Sequence, residues 1–404
     1  MLYSWKSGNL STIGLLLSLF TKSPFQSGIH SCLVGAFQVS IEKQHLSHYS
    51  NRHFKTSTTF LAMAATKNVN EEGVAASARS LGLFQSTPLL FSKPLTELMG
   101  GKNDVYIKLD ALQASGSFKD RGMAHLCDVL YHQKGIRKLI SSSGGNAGLA
   151  VATVGGKLGM EIDVIVPKTT KALVIEKLKS LGASVTVHGE NWNEADSLAR
   201  DRVAQDSSAE YVSPYDNPLL WCGHSTLVDE VLTELPETSS KIAAIVASVG
   251  GGGLICGIFE GLERNGRNDI AVIAAETEGA ASFGKAWEKG ELIRLTSIDS
   301  IATSLGALEV TEEALIRGKS HVANNGMVST AISTDPEAVD ACVKFAQDHR
   351  ILVEPACGAA LAAIYSPRLR EQTFQNIEGT IIMEVCGGSG VNTELLESWK
   401  QQFL

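Results

Sequence analysis

IAAIVASVGGGGLICGIFEGLER, residues 242–264, runs from an unbroken apolar segment through four glycines into a stretch with helical spacing. The segment Ile242–Val249 has the make-up of a strand covered on both faces. A plain turn needs one or two glycines, and each further one costs about 1 kcal/mol of ordering entropy relative to alanine. Gly250, Gly251, Gly252 and Gly253 are therefore better explained as a nest of amides that takes a phosphate at a helix N-terminus. It is not a Walker loop, because no Gly-Lys-Ser/Thr follows. Nor is it a dinucleotide fingerprint, because Ile255 stands where the last glycine would be.

The same strand–turn–helix rhythm extends in both directions. Short apolar runs at Val105–Asp110, Lys138–Ser143, Asp163–Pro167, Ser184–Gly189, Glu210–Pro214, Ile270–Glu276 and Thr380–Cys386 predict further strands. Helical patterns lie between them at Ala172–Leu181, Glu194–Val203, Ser225–Leu235 and Pro336–Asp348. This alternation predicts an α/β fold with twisted, mostly parallel sheets flanked by helices. In such sheets ligands collect at the carboxyl ends of strands.

Two more loops at that position are rich in glycine and serine. Ser141 to Gly148 (SSSGGNAG) offers amides at a helix start with Ser143 and Asn146 as side-chain donors, though a plain turn with an asparagine cap has the same look. Cys386-Gly387-Gly388-Ser389-Gly390 puts a thiol at a strand end; alone it reads as a buried structural cysteine. Between an earlier strand and helix lies Ser115-Gly116-Ser117-Phe118-Lys119-Asp120-Arg121-Gly122. A lysine at such a junction is ordinarily a solvated surface group. Held in a cleft against apolar walls, it instead loses its proton readily and can form a Schiff base with a carbonyl cofactor. Glu276, at the end of a strand, is either a surface group or a ligand, and the run Val353 to Ala363 reads as the small-residue start of a buried helix.

The totals limit the alternatives. The chain of 404 residues has a net charge of −8 and no basic face, which argues against nucleic acid as a partner. Seven cysteines are scattered without metal-ligand spacing, as in a reducing compartment. Residues 1–70 carry +5, leaving −13 for the rest. This head is rich in serine and poor in acids, and its apolar run Ile13–Phe20 is too short to cross a bilayer, which needs about 20 residues. It reads as a mitochondrial transit peptide or as sequence upstream of a working start at Met63, giving a mitochondrial or cytoplasmic address.

A nucleophilic lysine, an asparagine loop, a phosphate nest and a strand-end thiol are the parts that bind a phosphorylated aldehyde. With SFKDRG at 117–122, SSGGNAG at 142–148, PYDNP at 214–218, Gly250–Gly253, the stretch 352–363 and VCGGS at 385–389, the chain resembles the tryptophan-synthase-β-like (fold type II) pyridoxal-phosphate enzymes. Within them it is similar to the L-serine/L-threonine dehydratases. The resemblance implies an N-terminal extension over 1–75, a large cofactor domain from 76–119 and 216–404, a small α/β domain over 120–215, and a homodimer. It implies Lys119 as covalent anchor and α-proton base, Phe118 against the pyridine ring, and Asn146 on its 3′ oxygen. Gly250 to Gly253 would hold the phosphate, Cys386 would meet the ring nitrogen, and Ser143, Gly144 and Gly145 would take the substrate carboxylate. Glu276, Gly250, Ala280 and Leu305 resemble a monovalent-cation (K+) site. The implied reaction is β-elimination on serine or threonine; a serine racemase, a threonine synthase or an inactive amino-acid-binding homologue are the rivals. Relatives that racemise carry a serine where Gly144 stands, which weighs against racemisation.

Overall fold

The computed structural model describes residues 74–404; the basic head and Met63 lie outside the described residues. Among the described residues ten strands form two sheets. The larger runs in the order β1 (Leu89–Phe91), β2 (Val105–Lys108), β10 (Thr380–Glu384), β7 (Ile242–Ser248), β8 (Ala271–Thr277) and β9 (Val328–Ser333). The smaller is β5 (Ser184–Val187), β4 (Glu161–Val166), β3 (Lys138–Ser141) and β6 (Ala209–Tyr211). Every pairing is parallel except β1 with β2.

The central strands are largely apolar, with polar residues confined to their ends: β8 and β10 are buried at every position, and β7 at all but one. Helices cover both faces, as parallel crossovers require. One of them, Pro355–Tyr365, consists mostly of alanine and other small residues and is buried along its whole length. It packs against β7, β8 and β9 on one side and the helix Asp335–His349 on the other. The latter opens with a capping box between Thr334 and Glu337.

The expected strands are all present, shorter by one to three residues at most carboxyl ends. Two strands lie outside the expectation. β1 is three residues long and antiparallel, and β9 is an edge strand carrying Ser329, Thr330 and Ser333, so neither presents a long apolar run. The helix expected from Ser225 begins earlier, at Pro218, because Asn217 accepts the Leu219 amide and Pro218 supplies a ready-made first turn.

Candidate active site

The carboxyl ends of β3, β7 and β10 open onto one cavity of ≈ 750 Å³. Its wall includes Phe118, Lys119, Ser143, Gly145, Asn146, Gly250 to Gly253, Leu305 and Cys386. Residues more than 250 positions apart in the sequence thus share one chamber.

Lys119 is the first residue of the helix Lys119–Asp128. Its loop is stitched to the strand-end thiol: the Phe118 amide donates to the Cys386 carbonyl at 3.2 Å, and the Gly388 amide to the Gly116 carbonyl at 2.9 Å. The Lys119 ammonium donates to the Pro214 carbonyl at 3.0 Å and stands 4.7 Å from the centre of the Phe118 ring. Among the described residues no carboxylate forms an ion pair with it, and burial lowers its pKa to about 8, against a smaller opposing pull from Cys386. The Phe118 ring rests in turn on His224, 5.0 Å away between centres. Burial, with Lys119 and Arg121 nearby, holds that imidazole neutral, well below its ordinary range.

The four glycines form the approach to the helix Gly253–Arg264, with Gly252 in the left-handed region at φ 93°. A Cβ on Gly251 would lie 2.2 Å from the Tyr215 ring, so this loop closes against Tyr215 and turns main chain towards the cavity. Amides at the start of a 12-residue helix are a natural seat for a phosphate. Cys386, also on the cavity wall, is buried; a hydrogen bond with Cys357, then burial, pushes its thiol well above its usual range, so it stays protonated.

Asn146 opens the helix Asn146–Lys157. Its Oδ1 accepts from the Ser389 amide at 3.0 Å and the Ser389 hydroxyl at 3.2 Å, while Nδ2 donates to Glu354 at 3.1 Å. Gly144, expected on the substrate carboxylate, lies outside the cavity wall: a Cβ there would meet Thr170 and Val166. Glu276 also faces elsewhere. Its two oxygens accept the Phe283 and Gly284 amides at 2.9 and 2.7 Å, and burial pushes its pKa up to about 8. Of the four residues likened to a cation site, Gly250 packs on Leu305, and Leu305 shares an apolar cluster with Ala280. No group of three or more His, Cys, Asp or Glu able to hold a metal occurs among the described residues.

Two contributors are not apparent from the sequence: Glu354 and the Pro214 carbonyl. Glu354 hides in the run read as a helix start, and its only signal is an acid directly before the proline that begins a helix.

The residues fit pyridoxal phosphate. A carbonyl-reactive lysine, an aromatic ring beside it, a glycine nest facing inward as main chain and a neutral thiol all line one cavity. A family model described as pyridoxal-phosphate dependent enzyme matches residues 81–387. The chain belongs to that family.

The enzyme is 43% identical over 324 residues to the mouse L-serine dehydratase/L-threonine deaminase, covering 79% of this chain and 96% of that protein. It is 40% identical to the L-serine dehydratase of Dictyostelium discoideum, over 77% of this chain and 89% of that protein. Among solved structures, an L-serine ammonia-lyase from Rhizomucor miehei superposes with a TM-score of 0.72 at 32% identity, covering 80% of this chain and 99% of that one. Maize serine racemase, at 22% identity and a TM-score of 0.70 over 82% of this chain and 98% of that one, shares the fold. No helix among the described residues is long and apolar enough to cross a membrane.

Proposed function

We propose that this enzyme deaminates L-serine and L-threonine to pyruvate and 2-oxobutanoate with release of ammonia, the water lost on β-elimination being taken up again in the final hydrolysis. The observation that carries this reading is Lys119: half-buried, with its pKa lowered to about 8, and held by one carbonyl in the cavity that also contains the glycine nest. The names and identity of the relatives support the choice of substrate.

Bound pyridoxal phosphate supplies an electron sink that makes the substrate Cα–H acidic. The protein supplies the rest. Gly250 to Gly253 hold the phosphate with main-chain amides, and Phe118 fixes the plane of the ring. Asn146 offers an N–H to the ring oxygen. Ser143 and the amides around Gly145 take the substrate carboxylate, which aims the Cα–H at the Lys119 amine. A pKa of about 8 leaves a usable fraction of that amine free to accept the proton near neutral pH. The β-hydroxyl leaves as water, and hydrolysis of the resulting enamine yields the 2-oxo acid and ammonia.

Cys386 shapes the outcome. A thiol held protonated cannot stabilise a positive ring nitrogen as a carboxylate would, so charge built up at Cα is poorly stored and prompt elimination is favoured over amino transfer. Full-length protein loaded with pyridoxal phosphate should release pyruvate from L-serine in a lactate-dehydrogenase-coupled assay. Loaded protein that releases no 2-oxo acid from either amino acid sinks the proposal, and accumulation of D-serine would point to racemisation instead.

A further inference from the structure

Glu354, which the proposed reaction does not use, is 8% exposed and stands immediately before the buried helix Pro355–Tyr365. Its Oε1 accepts the Gly390 amide at 2.7 Å. Its Oε2 accepts both the Ser304 hydroxyl at 2.6 Å and the Asn146 amide nitrogen at 3.1 Å. These donors come from three separate segments: the loop after β10, the short turn Thr303–Leu305, and the start of the helix after β3. The loop after β10 is shaped around this carboxylate. A Cβ on Gly388 would lie 2.2 Å from Glu354 Cδ, and one on Gly390 2.8 Å from Oε1.

The arrangement fixes which way Asn146 points. A main-chain N–H only donates, so the Ser389 amide requires the oxygen of Asn146 to face it. Turning the amide over would set donor against donor there and acceptor against acceptor at Glu354. The nitrogen end is therefore locked, with one hydrogen on Glu354 at 3.1 Å and, among the described residues, no other contact nearer than the Ser304 hydroxyl at 3.5 Å, in a side chain that lines the cavity.

We propose that Glu354 is a positioning residue that acts through Asn146: by holding one hydrogen of its amide, it presents the other to the oxygen on the edge of the bound cofactor ring. The inference rests on the reading of Asn146 as a cofactor contact. Glutamine cannot substitute, despite its shape. Its NH2 would face either the Gly390 amide or the Ser304 and Asn146 donors, and one of the acceptor positions would be lost.

The test is a double-mutant cycle on the full-length holoenzyme, with Glu354→Gln, Asn146→Ala and the pair. Two readouts are used: the dissociation constant of pyridoxal phosphate and the position of its visible absorption band. Glu354→Gln should weaken cofactor binding about tenfold, the equivalent of one charge-assisted hydrogen bond, and shift the band. In the Asn146→Ala background the same change should cost less than about twofold and leave the band where it is. Additive losses overturn the proposal, as does a Glu354→Gln enzyme with native affinity and band. A silent Asn146→Ala overturns it together with the assignment of Asn146, and so is distinct from an additive pair. Should the glutamine variant fail to fold, Glu354→Asp goes through the same cycle, and the same outcomes support or overturn the proposal.

Discussion

Lys119 and Arg121 stand two residues apart on the first turn of one helix, and their charges meet opposite fates. Arg121 is fully buried yet grips Asp110 in one bidentate fork (2.8 and 2.7 Å) and Glu230 in another (2.8 and 2.7 Å), with Thr226 at 3.2 Å. These partners outweigh burial and hold its guanidinium charged at any working pH. Lys119 has a single carbonyl, and burial prevails. Burial alone therefore does not make a lysine reactive; burial without a carboxylate does. The cluster behind Arg121 keeps the carboxylates occupied. Lys108 and Arg79 also hold Glu230, and Lys108 holds Glu234, so three cations face Asp110, Glu230 and Glu234. Among the described residues Glu384 finds no hydrogen-bond partner for either oxygen, and burial with Asp110 nearby pushes it well above the carboxylate range, so it adds no charge.

The contrast can be broken most severely at Lys119. Lys119→Ala should lower turnover of L-serine by at least about 10³-fold while the fold persists, as read by pyruvate release and circular dichroism. Arg121→Met should do the reverse in kind, since it strands the buried Asp110 without a cation and takes the fork away from Glu230. A loss of about 3–5 kcal/mol in urea denaturation is expected, and a variant as stable as the parent would deny the cluster its role.

The pH dependence sharpens the comparison. The folded-state pKa of Lys119 is lowered from 10.5 to about 8, so the unfolded chain binds more protons between those values and this group makes stability rise with pH across that window. In cofactor-stripped protein, Lys119→Met should therefore add about 2 kcal/mol at pH 7, after a discount for the lysine's partial exposure to the cavity. The gain should shrink towards zero by pH 10.5. Urea titrations at the two pH values measure it, and a gain that ignores pH would show that the ammonium is not destabilised by burial. The smallest effect comes from trimming the fork: Thr226→Val removes one neutral acceptor from Arg121 and should cost about 1 kcal/mol with no change in turnover.

The partners of these two residues mark the limit of what the sequence discloses. Apolar runs exposed the central strands, and the four glycines marked a loop that lines the cavity, because each is a local consequence of burial or of main-chain approach. SFKDRG pointed to Lys119, but nothing near it announces Pro214 as its acceptor or Glu230 as the second acid on Arg121. Those are meetings across about a hundred residues, set by the loop after β6 in one case and by the packing of two helices in the other. Glu354 is the same case on a larger scale, its glycine clearance lying in the loop after β10. Glu276, which the sequence leaves as a surface group or a ligand, is a buried strand-end acid whose oxygens accept two amides from the start of the helix Ser282–Lys289.

The helix Pro355–Tyr365 has a consequence for how this protein tolerates change. With every side chain enclosed, it has no face on which an added methylene can reach water. A Cβ on Gly358 would lie 2.2 Å from the Ala338 carbonyl, so even the smallest enlargement collides with a neighbouring helix. Substitutions that raise hydrophobicity, the usual route to a sturdier core, would here pry the two helices apart. Variation should be purged from this segment as strictly as from the catalytic loops, though it performs no chemistry, and a mutational scan would mark it as if it were part of the active site.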